Sequence, residues 1–327
     1  MIESTPAPSA STSISESLPI AGRTFSGIPV WVKVVPFFAS AFCFLSAIFS
    51  VFSPLPLLIL NLRSGRKITL AAAAVNALIV FLNAGAAGLL IYGIFILSIV
   101  FILPECLRRR VSVERSSAFA LFFIGVLIFA SLWIAARAHH LSPAGFVQEQ
   151  AGLMVERVEK SLNSETRANI LGTATPSEIQ STLVLEFPSA VAIYALILIW
   201  ANFLFLLKVN VGSVRERLGV DTSYFANWKI SEYWVWPAIA SGALLLSDFG
   251  RASDVGINVF KFVMAIYAIQ GLSILTFFFD HWKLRRIFRV SGYVMMSLFM
   301  MPLLLSMGFF DLWFDFRGKF KSALTKK

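Results

Sequence analysis

The chain has 327 residues, 57% of them hydrophobic and only 14% charged, an apolar share above the roughly 45–50% of soluble domains. Lys and Arg number 28 against 18 Asp and Glu, but they cluster between apolar runs. This is the pattern of a polytopic membrane protein, not the basic stripe of a nucleic-acid-binding domain. Nucleic acid is thereby excluded as a partner, and the lipid bilayer is the first partner implied.

Residues 1–31 read as a disordered tail, because "IESTPAPSASTSISESLP" is rich in Ser and Pro and too polar to form a core. Four further segments follow: transmembrane helices over 32–137, an extracytoplasmic amphipathic segment over 138–187, transmembrane helices over 188–318 and a basic tail over 319–327. A span needs about 20 apolar residues. Candidates lie near Val34–Val51, Thr69–Asn83, Ala86–Leu103, Ser117–Ala136, Pro188–Leu207, Trp234–Ser247, Ile257–Phe279 and Val290–Phe310. The fold class is therefore all-α, a polytopic transmembrane helix bundle with about eight spans. The run from Thr69 to Leu103 is too long for one crossing, and "NAGAAG" at Asn83–Gly88 supplies its turn.

"FSPLPLLILNLRSGRK" places Pro54 and Pro56 inside an apolar run just before Arg63, Arg66 and Lys67. Either the chain reverses there, with Leu55–Leu62 returning as a short segment, or one kinked helix has its freed carbonyls satisfied by neighbours. Alternation puts 15 basic residues of four loops on the cytoplasmic side and 10 outside. The exported set includes Arg317, Lys319, Lys321, Lys326 and Lys327 of the C-terminal tail, which prefer the cytoplasm. Two explanations fit: Val290–Phe314 is interrupted at Pro302 and does not cross fully, or an earlier short span is not a crossing.

Between Ala138 and Phe187, Val147, Ala151, Met154, Val155, Val158 and Leu162 share one helical face. That helix can lie on the membrane, cap a cavity or pack for stability alone. Thr175, Pro176 and Glu178 then form a capping box that starts a helix running through Pro188.

Polar residues inside apolar spans are costly and point to function. Asp254, Asn258 and Lys261 share a face, with Gln270 further along the same helix. Pro54, Pro56, Asn258, Lys261 and Gln270 are thus the candidate cavity-lining set, with snorkelling the plain alternative for Lys261. Asn76, Asn83 and Asn202 read as helix glue. Asp311 and Asp315 lie four apart beside Arg317, a set suited to acid–base work, a cation, or contact with an interface or partner at headgroup depth. No HExxH, GxSxG, phosphate-binding or dinucleotide motif occurs, so no enzyme activity is expected. Two cysteines, Cys43 and Cys106, and 3 His lack ligand spacing, so neither metal nor cofactor is expected.

The "PLPLLILNLRSGRK" entry, "FPSAVAIYALILIWANFLF", "EYWVWP", "INVFKFVMAIYAIQGLSIL" and the closing Gly308, Asp311, Asp315, Phe316 and Arg317 occur in an order that resembles the YybS-like family of bacterial multi-pass membrane proteins. The resemblance covers about Val34 to Lys319. More distantly, the chain is similar to the substrate-binding subunits of energy-coupling vitamin transporters, from which it departs by more spans and an extra outer segment. It implies an inner-membrane protein that binds or helps transport a small-molecule solute. The alternative is a scaffold or assembly protein that holds a membrane or cytoplasmic protein partner.

Overall fold

The computed structural model describes residues 34–161, 174–247 and 250–325. The Ser/Pro-rich tail 1–31, Leu162, Arg167, Lys326 and Lys327 lie outside the described residues. The longer helices are α1 (Pro36–Leu45), α2 (Pro54–Ser64), α3 (Arg66–Ile91), α4 (Ser98–Arg108), α5 (Val113–Ala138), α6 (Pro143–Ser161), α7 (Pro176–Val209), α8 (Val235–Leu245), α9 (Arg251–His281), α10 (Arg286–Leu298), α11 (Met301–Phe314) and α12 (Phe316–Thr325). A π-helical turn, Tyr92–Leu97, joins α3 to α4. Four stretches are long and apolar enough to cross a membrane, namely Arg66–Arg108, α5, α7 and α9, and the bent pair α10 and α11 makes up to five. The eight apolar runs of the sequence thus correspond to helices of very unequal length.

The stretch Arg66–Arg108 is folded back on itself. Gly85 has φ 67 and ψ −165, a conformation that favours glycine. The Arg66 guanidinium lies 5.9 Å from the Phe101 ring centre, whereas a straight helix would hold these residues about 50 Å apart. Asn76 and Tyr92, one on each leg, both reach α1. The "NAGAAG" turn is therefore a helical hairpin.

Pro54 and Pro56 are not helix breaks. They occupy the first turn of α2, where a missing N–H costs nothing because that donor has no intrahelical partner. The helices on either side of the reversal, of 10 and 11 residues, are about 15 Å long, half a hydrocarbon core. Four serines satisfy the non-helical backbone between them. Ser40 Oγ donates to Ser53 O at 2.8 Å and Ser53 Oγ to Ser40 O at 2.9 Å, while Ser46 and Ser50 donate to Cys43 O and Ala47 O. From α7, Asn202 Nδ2 donates to Val51 O at 2.7 Å. Asn76 ties α1 down by accepting from Ala41 N at 2.7 Å and donating to Pro36 O at 3.0 Å. Asn76 and Asn202 are therefore glue, whereas Asn83 bonds only within its own helix at Ile79 O.

The C-terminal apolar run is bent by 94° between α10 and α11. Helix α10 enters alongside α9, where Arg289 pairs with Asp280 and the Thr276 and Tyr293 hydroxyls meet at 2.8 Å. Helix α11 crosses α9 at Gly271 and Gly308. Helix α12 returns along α9, with Phe320 4.8 Å from the His281 ring. Lys321 reaches Asn227 at 3.3 Å and Arg317 reaches Ala226 O at 3.1 Å. Arg317 and Lys321 thus lie against the loop at 226–228, and the last apolar run is not one straight helix, while the short helices Pro36–Leu45 and Val235–Leu245 also fall below the length of a crossing.

The same loop is braced at Glu114, whose carboxylate accepts from Tyr224 Oη at 2.7 Å and Trp228 Nε1 at 2.9 Å. Burial, and then that carboxylate, push the Tyr224 phenol well above its ordinary pKa. The Thr175 capping box forms, with Thr175 N donating to Glu178 at 2.7 Å, and α7 runs unbroken through Pro188.

Candidate functional site

Pro188 cannot donate to the carbonyl one turn back, and its ring displaces the helix there. Asn258 of α9 fills the resulting gap. Its Oδ1 accepts from Ser189 N at 2.9 Å, and its Nδ2 donates to Leu185 O at 2.8 Å and Asp254 O at 2.9 Å. Every hydrogen-bonding position of the amide donor is used, so Asn258 acts as a splint beside Pro188. One turn along, Lys261 pairs with Glu186, the two side chains being 36% and 44% exposed. An ion pair this wet contributes little, about 0–1 kcal/mol.

Asn258→Leu is expected to destabilise the protein by about 1–3 kcal/mol, because it strands a buried N–H and C=O. In a Pro188→Ala background the loss should shrink, since α7 can then close its own ladder. Detergent-induced unfolding of the four proteins of this cycle checks it, and strictly additive losses would refute the splint.

Gln270 sits 9 residues beyond Lys261, a rotation of about 180° at 3.6 residues per turn. The two therefore face opposite sides of α9, and Gln270 belongs with the C-terminal carboxylates. Gln270 Oε1 accepts from Ile230 N at 2.9 Å and Nε2 donates to Asp311 Oδ2 at 3.2 Å. Asp311 also accepts from Arg317 at 2.7 Å and Phe316 N at 3.0 Å. Arg317 donates to Trp228 O at 2.8 Å and to Ser273 Oγ at 3.1 Å, as well as to Ala226 O. Asp311 and Gln270 are 0% exposed and Arg317 is 6% exposed. This buried cluster pins the loop 224–230 to α9 and α11. Asp315 is apart from it, exposed, with a φ of 42 at the end of α11.

Neither candidate set thus stays together. Pro54 and Pro56 start a helix, Asn258 splints α7, Lys261 holds Glu186, and Gln270 joins Asp311 and Arg317 without Asp315. Sequence reasoning missed Ser273 and the carbonyls of Ala226 and Trp228, which carry no local pattern because their partners lie 44 to 91 residues away. It also missed Asn61, which donates to Val100 O at 3.0 Å and accepts from Arg108 at 2.6 Å.

The open space lies elsewhere. Between α5, α6 and α7 is a cleft of about 460 Å³ walled by Ile124, Ile128, Val191, Ala192 and Ala195, with Pro188 on its margin. A second cavity of about 310 Å³ adjoins it, sharing Leu132, Val147 and Phe187 and adding Ala151 and Met154. The apolar face of α6 forms the roof, and Gln180 Nε2 anchors that helix to α7 by donating to Gln148 O at 2.8 Å. Helix α6 packs against α5 and α7 and lines both spaces.

Long apolar helices knit together by side-chain amides, with the basic loops gathered on one face, define a helical membrane protein. The chain belongs to the family described as predicted membrane protein (DUF2232), whose model matches residues 33–312. No curated protein and no solved structure matches it.

Proposed function

We propose that the protein is a multi-pass subunit of the bacterial inner membrane that binds an apolar or amphiphilic solute in the outer cleft. The distant resemblance to the substrate-binding subunits of energy-coupling vitamin transporters supports this role. The observation that carries this reading is the cleft of about 460 Å³ between α5, α6 and α7 beside Pro188, inside the size range of small-molecule sites, about 300–1,000 Å³, and apolar as such sites mostly are. No catalytic role is assigned, because Asp311 is fully engaged in holding Arg317.

The test is thermal unfolding of the detergent-solubilised full chain against riboflavin, biotin, oleate and a prenol. At least one should raise the unfolding temperature, and Ala192→Trp, which fills the cleft, should abolish the rise. Lack of a rise with all four, or a rise that persists in Ala192→Trp, overturns the reading.

A scaffold is the second reading, favoured by Asn76, Asn202, Asn258 and Gln270 all engaging neighbouring backbone. It expects Ala192→Trp and Lys261→Met to leave cellular function intact and cross-linking to recover a stable partner.

A further inference from the structure

A cavity of about 580 Å³ opens at the inner face where α2, α3, α4 and α5 meet. Its rim carries four guanidinium groups, Arg66, Arg108, Arg109 and Arg115, against the single carboxylate of Glu105. Each lies at or near the first or last turn of a long apolar helix, and hence at headgroup depth. We propose that this cavity binds the phosphate of an anionic phospholipid of the inner leaflet.

Two of the arginines are held in place by the fold. Arg108 donates to Asn61 Oδ1 at 2.6 Å and Asn61 O at 3.1 Å, and Arg109 to Glu105 at 2.8 Å. The other two are uncommitted. Among the described residues Arg66 and Arg115 make no ion pair, and Arg66 instead lies over the Phe101 ring. Forked donors around a concave site suit a tetrahedral phosphate, which accepts several N–H groups at once. Gly65, at the N-cap of α3, contributes no side-chain cap, so the first-turn N–H groups add positive potential to the same rim.

The walls decide between a lipid and a soluble anion. Phe101, Ile102 and Phe119 line the cavity, and Phe119 leads onto exposed Phe122 and Phe123 of α5. Guanidinium groups above an apolar strip that continues into the lipid-facing surface match an amphiphile with an anionic head. A free phosphate would use only the rim. Charge steering favours the same occupant, since anionic lipid in the cytoplasmic leaflet draws juxtamembrane arginines.

The experiment is native mass spectrometry of the delipidated full-length protein. It is titrated in parallel with phosphatidylglycerol, phosphatidylethanolamine and inorganic phosphate. Phosphatidylglycerol should be retained about tenfold better than phosphatidylethanolamine, with inorganic phosphate weaker still, and Arg66→Gln with Arg115→Gln should remove about tenfold of that retention. Both side chains are exposed and outside any ion pair among the described residues, and Arg66 gives up only its Phe101 ring contact, so the unfolding midpoint should move little. If it moves more, Arg115→Gln alone carries the test and should still lower retention. Equal retention of the two lipids, or unchanged retention in the variants, overturns the proposal. Inorganic phosphate binding as tightly as phosphatidylglycerol overturns it too, in favour of a soluble anion. None of these outcomes depends on the outer cleft.

Discussion

Asp311→Ala is expected to destabilise the protein by about 3–5 kcal/mol, because it leaves the Arg317 guanidinium buried without its counter-charge. The size follows from burial, since Asp311 is 0% exposed and three groups, on Gln270, Phe316 and Arg317, donate to its carboxylate. The double change Asp311→Leu with Arg317→Met removes both charges together and should lose far less than either single change, since a buried pair replaced by apolar groups is often near neutral. Detergent or urea unfolding of the four proteins measures this. An Asp311→Ala loss below about 0.5 kcal/mol, the range of surface substitutions, would show that the cluster is not the lock between α9, α11 and the loop 224–230.

Local patterns were legible in the sequence. The Thr175–Glu178 box, the reversal at Gly85 and the apolar face of α6 are each written within about a dozen neighbouring residues, so propensity and periodicity suffice to read them. Pro54 and Pro56 were visible as punctuation, but their place in the first turn of α2 depends on where the helix starts, and boundaries are the weakest part of any sequence reading. Gln270 and Lys261 share a helix but not a face, and only the packing of α9 shows which neighbours each one meets. The pairs that make the site, Asn258 with Pro188 and Arg317 with Trp228, join residues far apart in the chain. A single sequence carries no record of which distant backbone groups need a partner.

The serines of the first reversal illustrate the same limit. Ser40, Ser46, Ser50 and Ser53 look like unremarkable small polar residues in an apolar run. In lipid, each unpaired backbone group of the reversal would cost several kcal/mol, and these hydroxyls together with Asn202 make a non-helical turn tolerable there. Polar residues inside the spans thus serve mainly to let helices stop, kink and turn. Open space remains at several places between the helices, among them the apolar cleft beside α6 and the arginine-rimmed cavity beside α4.

Gly271→Val and Gly308→Val should each be strongly destabilising, by about 3 kcal/mol or more, toward or beyond the upper end of usual overpacking losses. A Cβ at Gly308 would overlap the Tyr267 carbonyl, and one at Gly271 would overlap the Leu304 carbonyl. The obstacles are backbone atoms, which cannot swing aside as a side chain can. Without a large hydrophobic drive between helices in lipid, association depends on such close approach through small residues. Losing it separates α11 from α9, and with it Asp311 from Gln270. Both glycines have ordinary helical backbone, so the effect comes from contact and not from strain. Gly93→Ala supplies the control, because a Cβ there meets nothing within 4 Å, and it should be near neutral or slightly stabilising. Unfolding midpoints of the three variants decide the matter. A mild loss at Gly308 would mean that α11 can ride outward over α9, and the buried pairing of Asp311 with Arg317 would then lose its geometric basis.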